Sequence, residues 1–192
     1  MNDQNTFGRY LNVVTLLLVL LVSPQSIRAD DKAGDAAYEA AAGLFNLGLW
    51  KQAAAAYQEY FGKHPRHSLA GHAHFGLGLS YFNLKDYAAA STSLKAAAGR
   101  GKGPDPVEVN LYLGQALMMK KPSDYKSAEG AFTDSLKALG FDRKGFIINR
   151  KWDEKSVKDW LDQNKGPKQR TLASDVFVGL LEATYLQQDW KS

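Results

Sequence analysis

The stretch FNLGLWKQAAAAYQEYFGKHP, residues 45–65, decides the fold of this chain. It predicts the end of one helix, a tight turn at residues 48–50, and a second helix from residue 51 to about residue 61. Gly48 favours a helix end because glycine readily adopts the left-handed conformation that is common there. Pro65 follows the second helix, where its missing N–H costs the helix nothing. The stretch therefore predicts two helices packed against each other.

The same pattern returns three times along the chain. It appears as FNLKDYAAASTSLKAAA at residues 82–98, as KKPSDYKSAEGAFTDSLKA at residues 120–138 and, cut short, as YLQQDWKS at residues 185–192. Every copy has an aromatic residue in the turn, and the complete copies have alanine three positions later: Trp50, Tyr87, Tyr125 and Trp190, with Ala53, Ala90 and Ala128. The turn aromatics of the complete copies are separated by steps of 37 and 38 residues. A period of this length indicates an array of helical repeats.

Composition excludes several classes of function. The chain has 192 residues, 45% of them hydrophobic, which suffices for one domain with a buried core. Its net charge of +4 is too small to indicate nucleic-acid binding. It has no cysteine, so disulfides, thiolate metal sites and a cysteine nucleophile are excluded. No glycine-rich phosphate loop, paired His-Glu motif or nucleophile elbow is present in the sequence, so we predict neither an enzyme nor a cofactor.

Residues 1–29 have the organisation of a secretory signal peptide. A polar start containing Arg9 precedes an apolar run at residues 11–22, and the sequence SIRA at residues 26–29 provides a cleavage site. We predict cleavage after Ala29 and export to a bacterial periplasm or cell envelope, where disulfides are optional. The alternative is a retained membrane anchor, although a span needs about 20 apolar residues and this run is shorter.

The remaining chain divides into three segments. Residues 30–139 hold three helical repeats, with the first helix beginning near residue 33. Residues 140–170 form a basic insertion with a short amphipathic helix at residues 153–163, and residues 171–192 supply the first helix of an incomplete fourth repeat. Capping residues and prolines are predicted to open the third, fifth and sixth helices: Ser68, then Asp105 with Pro106, then Pro122 with Ser123.

The repeats resemble the tetratricopeptide repeat (TPR), a helix pair with a Leu-Gly pair in helix A, an aromatic residue in the turn and alanine in helix B. The second and third repeats carry Leu77-Gly78 and Leu113-Gly114, whereas the first has Ala40-Ala41 at this place. Gly78 and Gly114 would let helix B lie close against helix A, because glycine has no side chain. The resemblance implies an all-α, right-handed superhelix of antiparallel helix pairs, with three repeats and a truncated fourth.

In the family that these repeats resemble, helix A lines a concave groove that binds a protein or peptide. The resemblance places these residues of the chain in the groove: Tyr38, Phe45, Asn46, His72, Phe75, Leu79, Phe82, Asn83, Gln115, Met118 and Met119. The resemblance places four further residues there as well: Asp35, Ala42, Glu108 and Leu111. Asn46 and Asn83 could hold a peptide backbone through their amides, and the apolar remainder suits an extended or helical peptide. The alternative is that about half of the set packs between repeats.

All four histidines of the chain lie close together in the sequence: His64, His67, His72 and His74. Imidazole suits zinc and copper, so a metal site is one interpretation of this cluster. The last two histidines are two positions apart on a helix and therefore point to different sides. We predict no metal, and expect the histidines to be solvated or to face a partner.

These observations together predict an exported TPR scaffold for protein–protein interaction. The junction HPRHSLAGHAHFGLGLSYFNLKDYAAA, residues 64–90, is similar to envelope TPR families such as the Tol-Pal coordinator and the outer-membrane assembly TPR proteins. Two alternatives stay open: a self-assembling structural module, and an N-terminal accessory region of a larger envelope enzyme. Membrane contact is expected only through the signal segment, or weakly through the basic insertion, which otherwise is a solvated loop.

Overall fold

Seven α-helices make up the part of the chain that the structure, a computed structural model, describes: residues 24–99, 103–140 and 166–188. In chain order they are α1 (Pro24–Asn46), α2 (Trp50–Lys63), α3 (Ala70–Asn83), α4 (Tyr87–Ala98), α5 (Pro106–Met119), α6 (Tyr125–Ala138) and α7 (Pro167–Gln188). No strand occurs within these residues. The described chain is therefore all-α, as the sequence predicts.

Each helix packs against the next, and short turns join the first six into three pairs. We call α1, α3, α5 and α7 the A helices, and α2, α4 and α6 the B helices. Each A helix also contacts the A helix that follows it, whereas the B helices make no comparable contacts with one another in the described chain. The A helices therefore form the inner row of the stack, and α7 occupies the place of a fourth A helix.

The turn from α1 to α2 has the geometry that its glycine predicts. Gly48 has φ +75°, and the Leu49 N–H donates back across the turn to the Leu44 carbonyl at 3.0 Å. A left-handed residue combined with a bond of this span is a Schellman motif, which satisfies carbonyls left free at a helix end. The tight turn is therefore confirmed, with α2 starting at Trp50, the last residue of the predicted turn.

The predicted cap of α3 is wrong. The residue before the helix is Leu69, which makes no side-chain capping bond, and Ser68 lies one position further out. The backbone ahead of α3 is already turning, because the Ala70 N–H donates to the carbonyl of His67 at 3.1 Å. This local bond moves the start of the helix past the serine.

Aspartates cap three of the remaining helices. Asp105 accepts a bond from the Val107 N–H at 2.9 Å with Pro106 in the first turn, which confirms the predicted start of α5. Asp86 caps α4 in the same way. At α6 the cap is Asp124, which accepts a bond from the Ser127 N–H at 3.1 Å, so the predicted opening at Pro122 and Ser123 is wrong. A capping side chain accepts a hydrogen bond from the backbone N–H two or three residues later. At the start of α6, Asp124 has this spacing to Ser127.

The outer two A helices are longer than predicted. α1 begins at Pro24 rather than near residue 33, and α7 begins at Pro167 rather than at residue 171. Proline is tolerated in the first turn because its missing N–H would have no helical partner there. Helix α1 includes Ala29, so the predicted cleavage after that residue would leave a shorter helix of residues 30–46.

Glycines set how closely the helices approach. A Cβ on Gly78 would lie 2.6 Å from Leu94 of α4, and one on Gly114 would lie 2.6 Å from the Phe132 ring of α6. The close approach of helix B to helix A that the sequence predicts is thus present in both repeats. Phe132 also meets Gly179 of α7, where a Cβ would lie 2.5 Å from the ring. The fully buried Phe132 therefore sits between two glycines from different A helices.

Buried residues fall into two clusters. The smaller cluster joins α1, α2 and the first half of α3 and includes the buried Tyr57 and Tyr60. The larger one joins α4 to α7 and includes Leu94, Phe132 and Phe177. Tyr81 of α3 packs against both clusters, so the repeats share one continuous interior.

Several predictions fall on residues outside the described chain. These are the apolar part of the signal segment at residues 11–22, the short helix at residues 153–163 and the turn aromatic Trp190. Among the helices that the structure describes, none combines the length and the hydropathy that crossing a membrane requires.

Candidate functional site

The predicted groove residues lie along the inner row formed by the A helices. We call this surface the helix-A face and define it by these residues: Tyr38, Phe45 and Asn46 of α1, His72, Phe75, Leu79, Phe82 and Asn83 of α3, and Gln115, Met118 and Met119 of α5. Contacts between successive A helices bring the three sets side by side. The face is therefore built from helices of different repeats, with its two asparagines as the last residues of α1 and α3.

Aromatic rings connect α3 to α5 on this face. The ring of Tyr112 lies 6.3 Å from Phe75 and 5.5 Å from Phe82, with edge-to-face geometry in both contacts. Phe82 also meets the turn aromatic Tyr87 at 5.3 Å. Edge-to-face pairs at these distances are attractive, because the positive ring edge meets the negative ring face. The centre of the face is therefore a preassembled aromatic group.

Tyr112 was not among the predicted groove residues, and Leu111 was placed there instead. Leu111 is 3% exposed and belongs to the core, while Tyr112 is half-buried against Phe75 and Phe82, and we therefore add Tyr112 to the helix-A face. The sequence spacing does not separate the two residues, because Leu111 and Tyr112 each lie three or four positions from both Glu108 and Gln115. A repeat alignment that is fixed on the Leu-Gly pair selects the wrong neighbour.

At the α1 end, the aromatic residues pack inward. The Tyr38 ring lies 6.2 Å from Tyr57, 6.4 Å from Tyr60 and 6.4 Å from His72. Burial raises the pKa of Tyr38, and burial together with the neighbouring Tyr38 hydroxyl raises that of Tyr57 further. Both phenols therefore stay neutral at ordinary pH. Tyr38 therefore packs α1 against α2 within the first repeat and reaches the second repeat at His72.

Other members of the face also share in the packing. Phe75, Phe82 and Met118 are partly buried against the larger cluster, and Tyr38 and Phe45 against the smaller one. These contacts agree with the alternative that about half of the predicted groove packs between repeats. The remaining surface includes Asn46, Asn83 and Met119, all exposed.

The two asparagines differ in what they can offer a ligand. The Asn83 side-chain NH₂ donates to the Leu79 carbonyl of its own helix at 2.8 Å, which leaves its side-chain oxygen as an acceptor. Asn46 makes no bond within the described residues and keeps both donor and acceptor. An extended peptide presents alternating N–H and C=O groups, which both amides can pair. Met119, 50% exposed, adds a flexible apolar contact nearby.

The prediction that the histidines are solvated or face a partner is wrong for His67. Its side chain is 3% exposed and lies beneath Gly34 of α1, where a Cβ would clash with the ring. The Leu69 N–H points at Nδ1 at 3.3 Å and the Tyr60 hydroxyl lies 2.9 Å from it, while Nε2 lies 3.0 Å from the Asp31 carbonyl. These partners fit a neutral ring with its proton on Nε2. His67 therefore ties α1 to the turn between α2 and α3.

The other histidines are also engaged in the structure. His64 is 9% exposed, and the ring of His74 stacks on Phe61 at 4.1 Å. His72 is partly buried beside Tyr38, with its Nδ1 atom buried. Within residues 24–99, 103–140 and 166–188, no three histidine or carboxylate side chains are grouped as a metal site requires.

Polar contacts hold α7 against the third repeat. The Lys168 ammonium contacts the Glu108 carboxylate of α5, which raises the pKa of Lys168. Near the other end of the helix, the Gln187 amide donates to Glu129 of α6 at 3.1 Å. With the apolar contact between Gly179 and Phe132, these bonds fix α7 at both ends and in the middle.

Of the comparisons with known proteins, the one with solved structures supports the fold. No protein-family model matches this chain, and no curated protein matches it. Among solved structures, the chain is similar to one described as "MamA RS-1 ArsTM double mutant", a TPR-like helical protein, with a TM-score of 0.50 and 19% sequence identity over 98% of this chain and 99% of that chain. Similarity at this identity concerns the fold, which is therefore an all-α, TPR-like superhelix, as predicted.

Proposed function

We propose that this chain is a scaffold that binds a peptide segment of another protein on its helix-A face. The observation that carries the proposal is the aromatic group of Phe75, Phe82 and Tyr112, flanked by the exposed amide of Asn83 and by the exposed Met119. Rigid aromatic rings provide contact area at little cost in side-chain entropy. Amides beside them orient the ligand through hydrogen bonds. This combination suits an extended or helical peptide.

We also propose that the scaffold works in a bacterial periplasm or cell envelope. The support is the sequence of residues 1–29 and the similarity of residues 64–90 to envelope TPR families, including the Tol-Pal coordinator and the outer-membrane assembly TPR proteins. Expression of the full chain in a bacterium, followed by fractionation and N-terminal sequencing, tests both parts. We expect a periplasmic product that begins at Asp30; a cytoplasmic product with residues 1–29 intact would contradict export.

The binding proposal is tested with variants that leave the aromatic packing intact. Phe82 is unsuited, because its truncation would also remove contacts to Tyr87 and Tyr112. Asn83→Arg combined with Met119→Arg instead places bulky charge on exposed positions of the helix-A face. Ala55→Arg with Gln52→Arg, on exposed positions of the B helix α2, is the matched control with the same charge change.

The measurement is quantitative co-precipitation of envelope proteins with each purified variant. We expect the control pair to recover the same partner as the wild-type chain, and the Asn83 and Met119 pair to lose it. Circular dichroism checks that all variants stay helical. Undiminished recovery by the Asn83 and Met119 pair would contradict a role for the helix-A face.

A second candidate, self-assembly, is favoured by one surface of α7. Val178, Leu181 and Tyr185 follow at steps of three and four residues and are 53%, 58% and 66% exposed. Together they form an apolar stripe along one side of the helix. If a second copy covers this stripe, light scattering should show a dimer or larger species that Leu181→Arg converts to monomer. A wild-type monomer at high concentration would contradict this candidate.

A further inference from the structure

The turns between A and B helices form a distinct edge of the molecule. This surface consists of residues 47–51, 84–88 and 119–126, and we call it the turn edge. The ends of α1, α3 and α5 reach it, and the starts of α2, α4 and α6 leave from it. It adjoins the helix-A face at Met119 but is otherwise made of different residues.

The turn edge is strongly basic. It carries two aspartates and five lysines, and the lysines are Lys51, Lys85, Lys120, Lys121 and Lys126. Both aspartates are occupied as helix caps, since Asp86 accepts from the Ala89 N–H and Asp124 from the Ser127 N–H. Asp124 also lies 3.6 Å from Lys120, and the other four lysines form no ion pair within the described residues. The edge therefore presents a net positive charge that the carboxylates of the described residues leave uncompensated.

Two adjacent open cavities lie along this edge and share Lys121. One, of about 300 Å³, is lined by Lys85, Tyr87 and Met119 together with Lys120. The other, of about 610 Å³, is lined by Tyr125, Lys126, Pro122 and Gln187. Each cavity is therefore lined by lysines and a tyrosine, together with the capping aspartate of its turn, Asp86 in the first and Asp124 in the second.

Lys85 adopts a backbone conformation that is unfavourable for lysine. Its φ is +61°, and the Asp86 N–H donates across the turn to the Tyr81 carbonyl at 3.0 Å. This is the same Schellman geometry that Gly48 provides in the first repeat, where glycine adopts it without steric cost. A residue held in a left-handed conformation is a reason to look for a function of its side chain.

We propose that the turn edge is a docking surface for an acidic, extended segment of a partner protein that also carries aliphatic side chains. The lysines that line the cavities would pair with the acidic side chains, and the cavities would accept the aliphatic ones against Tyr87, Met119 and Tyr125. A lipid headgroup layer could meet the lysines, but it would leave both cavities empty. The cavities therefore favour a peptide over a membrane surface. This surface shares Met119 with the helix-A face but is otherwise made of different residues, and its binding does not depend on the function of that face.

The probe for this surface is a short fluorescein-labelled peptide with two glutamates for each leucine. Its binding to the full chain is followed by fluorescence anisotropy at low and at physiological salt. We expect saturable binding that weakens as salt is added, because exposed charges are screened by ions. A peptide with glutamine in place of every glutamate is the control and should not bind.

Lysine variants locate the binding site. Lys121→Gln with Lys126→Gln should weaken binding of the probe about tenfold, since two exposed charge pairs are lost. Lys95→Gln with Lys137→Gln makes the same charge change on exposed positions of α4 and α6 away from the edge, and should leave binding unchanged. Both double variants should still co-precipitate the partner of the helix-A face. A failure of the turn-edge proposal can therefore be told apart from a failure of the helix-A proposal.

Lys85→Gly separates a functional role from a structural one. Relief of the left-handed strain should raise the melting temperature by about 2–4 °C, while loss of the charge weakens binding of the probe. A variant that is more stable but binds less well would show that the lysine is kept for binding. Equal binding of the wild type and this variant would contradict the role given to Lys85.

Three results would overturn the proposal as a whole. They are equal binding of the glutamate and glutamine peptides, equal binding by the Lys121 and Lys126 pair and the wild type, and binding to phosphatidylglycerol-containing vesicles without binding of the glutamate peptide. The last result would assign the lysines to a membrane surface instead.

Discussion

Single glycines control the packing of this molecule. Phe132 has no exposed surface because Gly114 and Gly179 leave room for its ring on both sides. A methyl group at either glycine would lie within 2.6 Å of the ring, which is closer than atoms can pack. The spacing between α5, α6 and α7 therefore depends on the absence of a side chain at Gly114 and at Gly179.

We predict that Gly114→Ala destabilises the fold by about 1–3 kcal/mol, because a well-packed core must shift to admit the added carbon. Gly130→Ala on α6 is the control: a Cβ there meets nothing within 4 Å, so the higher helix propensity of alanine should stabilise by up to about 1 kcal/mol. Urea unfolding followed by circular dichroism measures both. Equal effects of the two substitutions would contradict the packing described for Gly114.

We predict that His67→Ala costs about 1–3 kcal/mol of unfolding free energy, because the Leu69 N–H loses its acceptor and the Asp31 carbonyl its donor. Arg66→Ala, an exposed neighbour in the same turn, should change stability by less than about 0.5 kcal/mol. Thermal unfolding of both variants is the measurement. A solvated His67 would make the two substitutions indistinguishable.

Among the elements, the B helices α4 and α6 start in the same way. An aspartate caps each helix, and a tyrosine follows at its first position: Asp86 with Tyr87, and Asp124 with Tyr125. The backbone N–H of Ser127 is the main cause that lowers the pKa of Asp124, with Lys120 contributing less. The ionised carboxylate is thus the form that the helix start stabilises.

We predict that Asp124→Ala costs about 1 kcal/mol at neutral pH through loss of the cap. The pKa of this carboxyl is lower in the folded chain than in the unfolded chain. Its contribution is therefore complete above the unfolded value and is lost as pH falls through the folded value. The difference in unfolding free energy between wild type and variant should shrink as pH is lowered below about 4. Ser123→Ala is the control, because Ser123 donates to the Lys120 carbonyl and does not cap the helix.

At the scale of the whole molecule, the interior is uneven. The larger cluster has sixteen buried residues, contributed by α4 to α7, and the smaller has eight, from α1 to α3. In a repeat array, the free energy of unfolding is roughly the sum of the intrinsic stabilities of the repeats and the contributions of the interfaces between neighbouring repeats. α5 and α6 are covered by helices on both sides, whereas among the described helices α1 packs mainly against α2, with a smaller contact to α3.

We predict that amide hydrogen exchange follows this division. Amides in the middle of α5 and α6 should exchange slowest, at rates near global unfolding, and those of α1 fastest among the described helices, because its local opening exposes less apolar surface. Mass spectrometry of peptic fragments after a series of labelling times gives the comparison. Slower exchange in α1 than in α5 would contradict the assignment of the main core to the larger cluster.

The sequence by itself determined the features that depend on local spacing. Helical periodicity, turn glycines and prolines, and the recurrence of the turn aromatics located six of the seven helices to within a few residues. They also identified Gly78 and Gly114 as points of close approach. These features can be read from the sequence because each depends on residues within one repeat, and the same pattern of residues recurs in several repeats.

Only the tertiary structure decided which side chains meet across repeats. His67 bonds to the backbone of Asp31, 36 positions earlier, and no local pattern marks that contact. Tyr112 takes the place on the helix-A face that the repeat alignment gave to Leu111, because the rotation of α5 against α3 decides which of two adjacent residues points inward. The lysines of the turn edge are likewise scattered in sequence and come together because the repeats stack with their turns on one side.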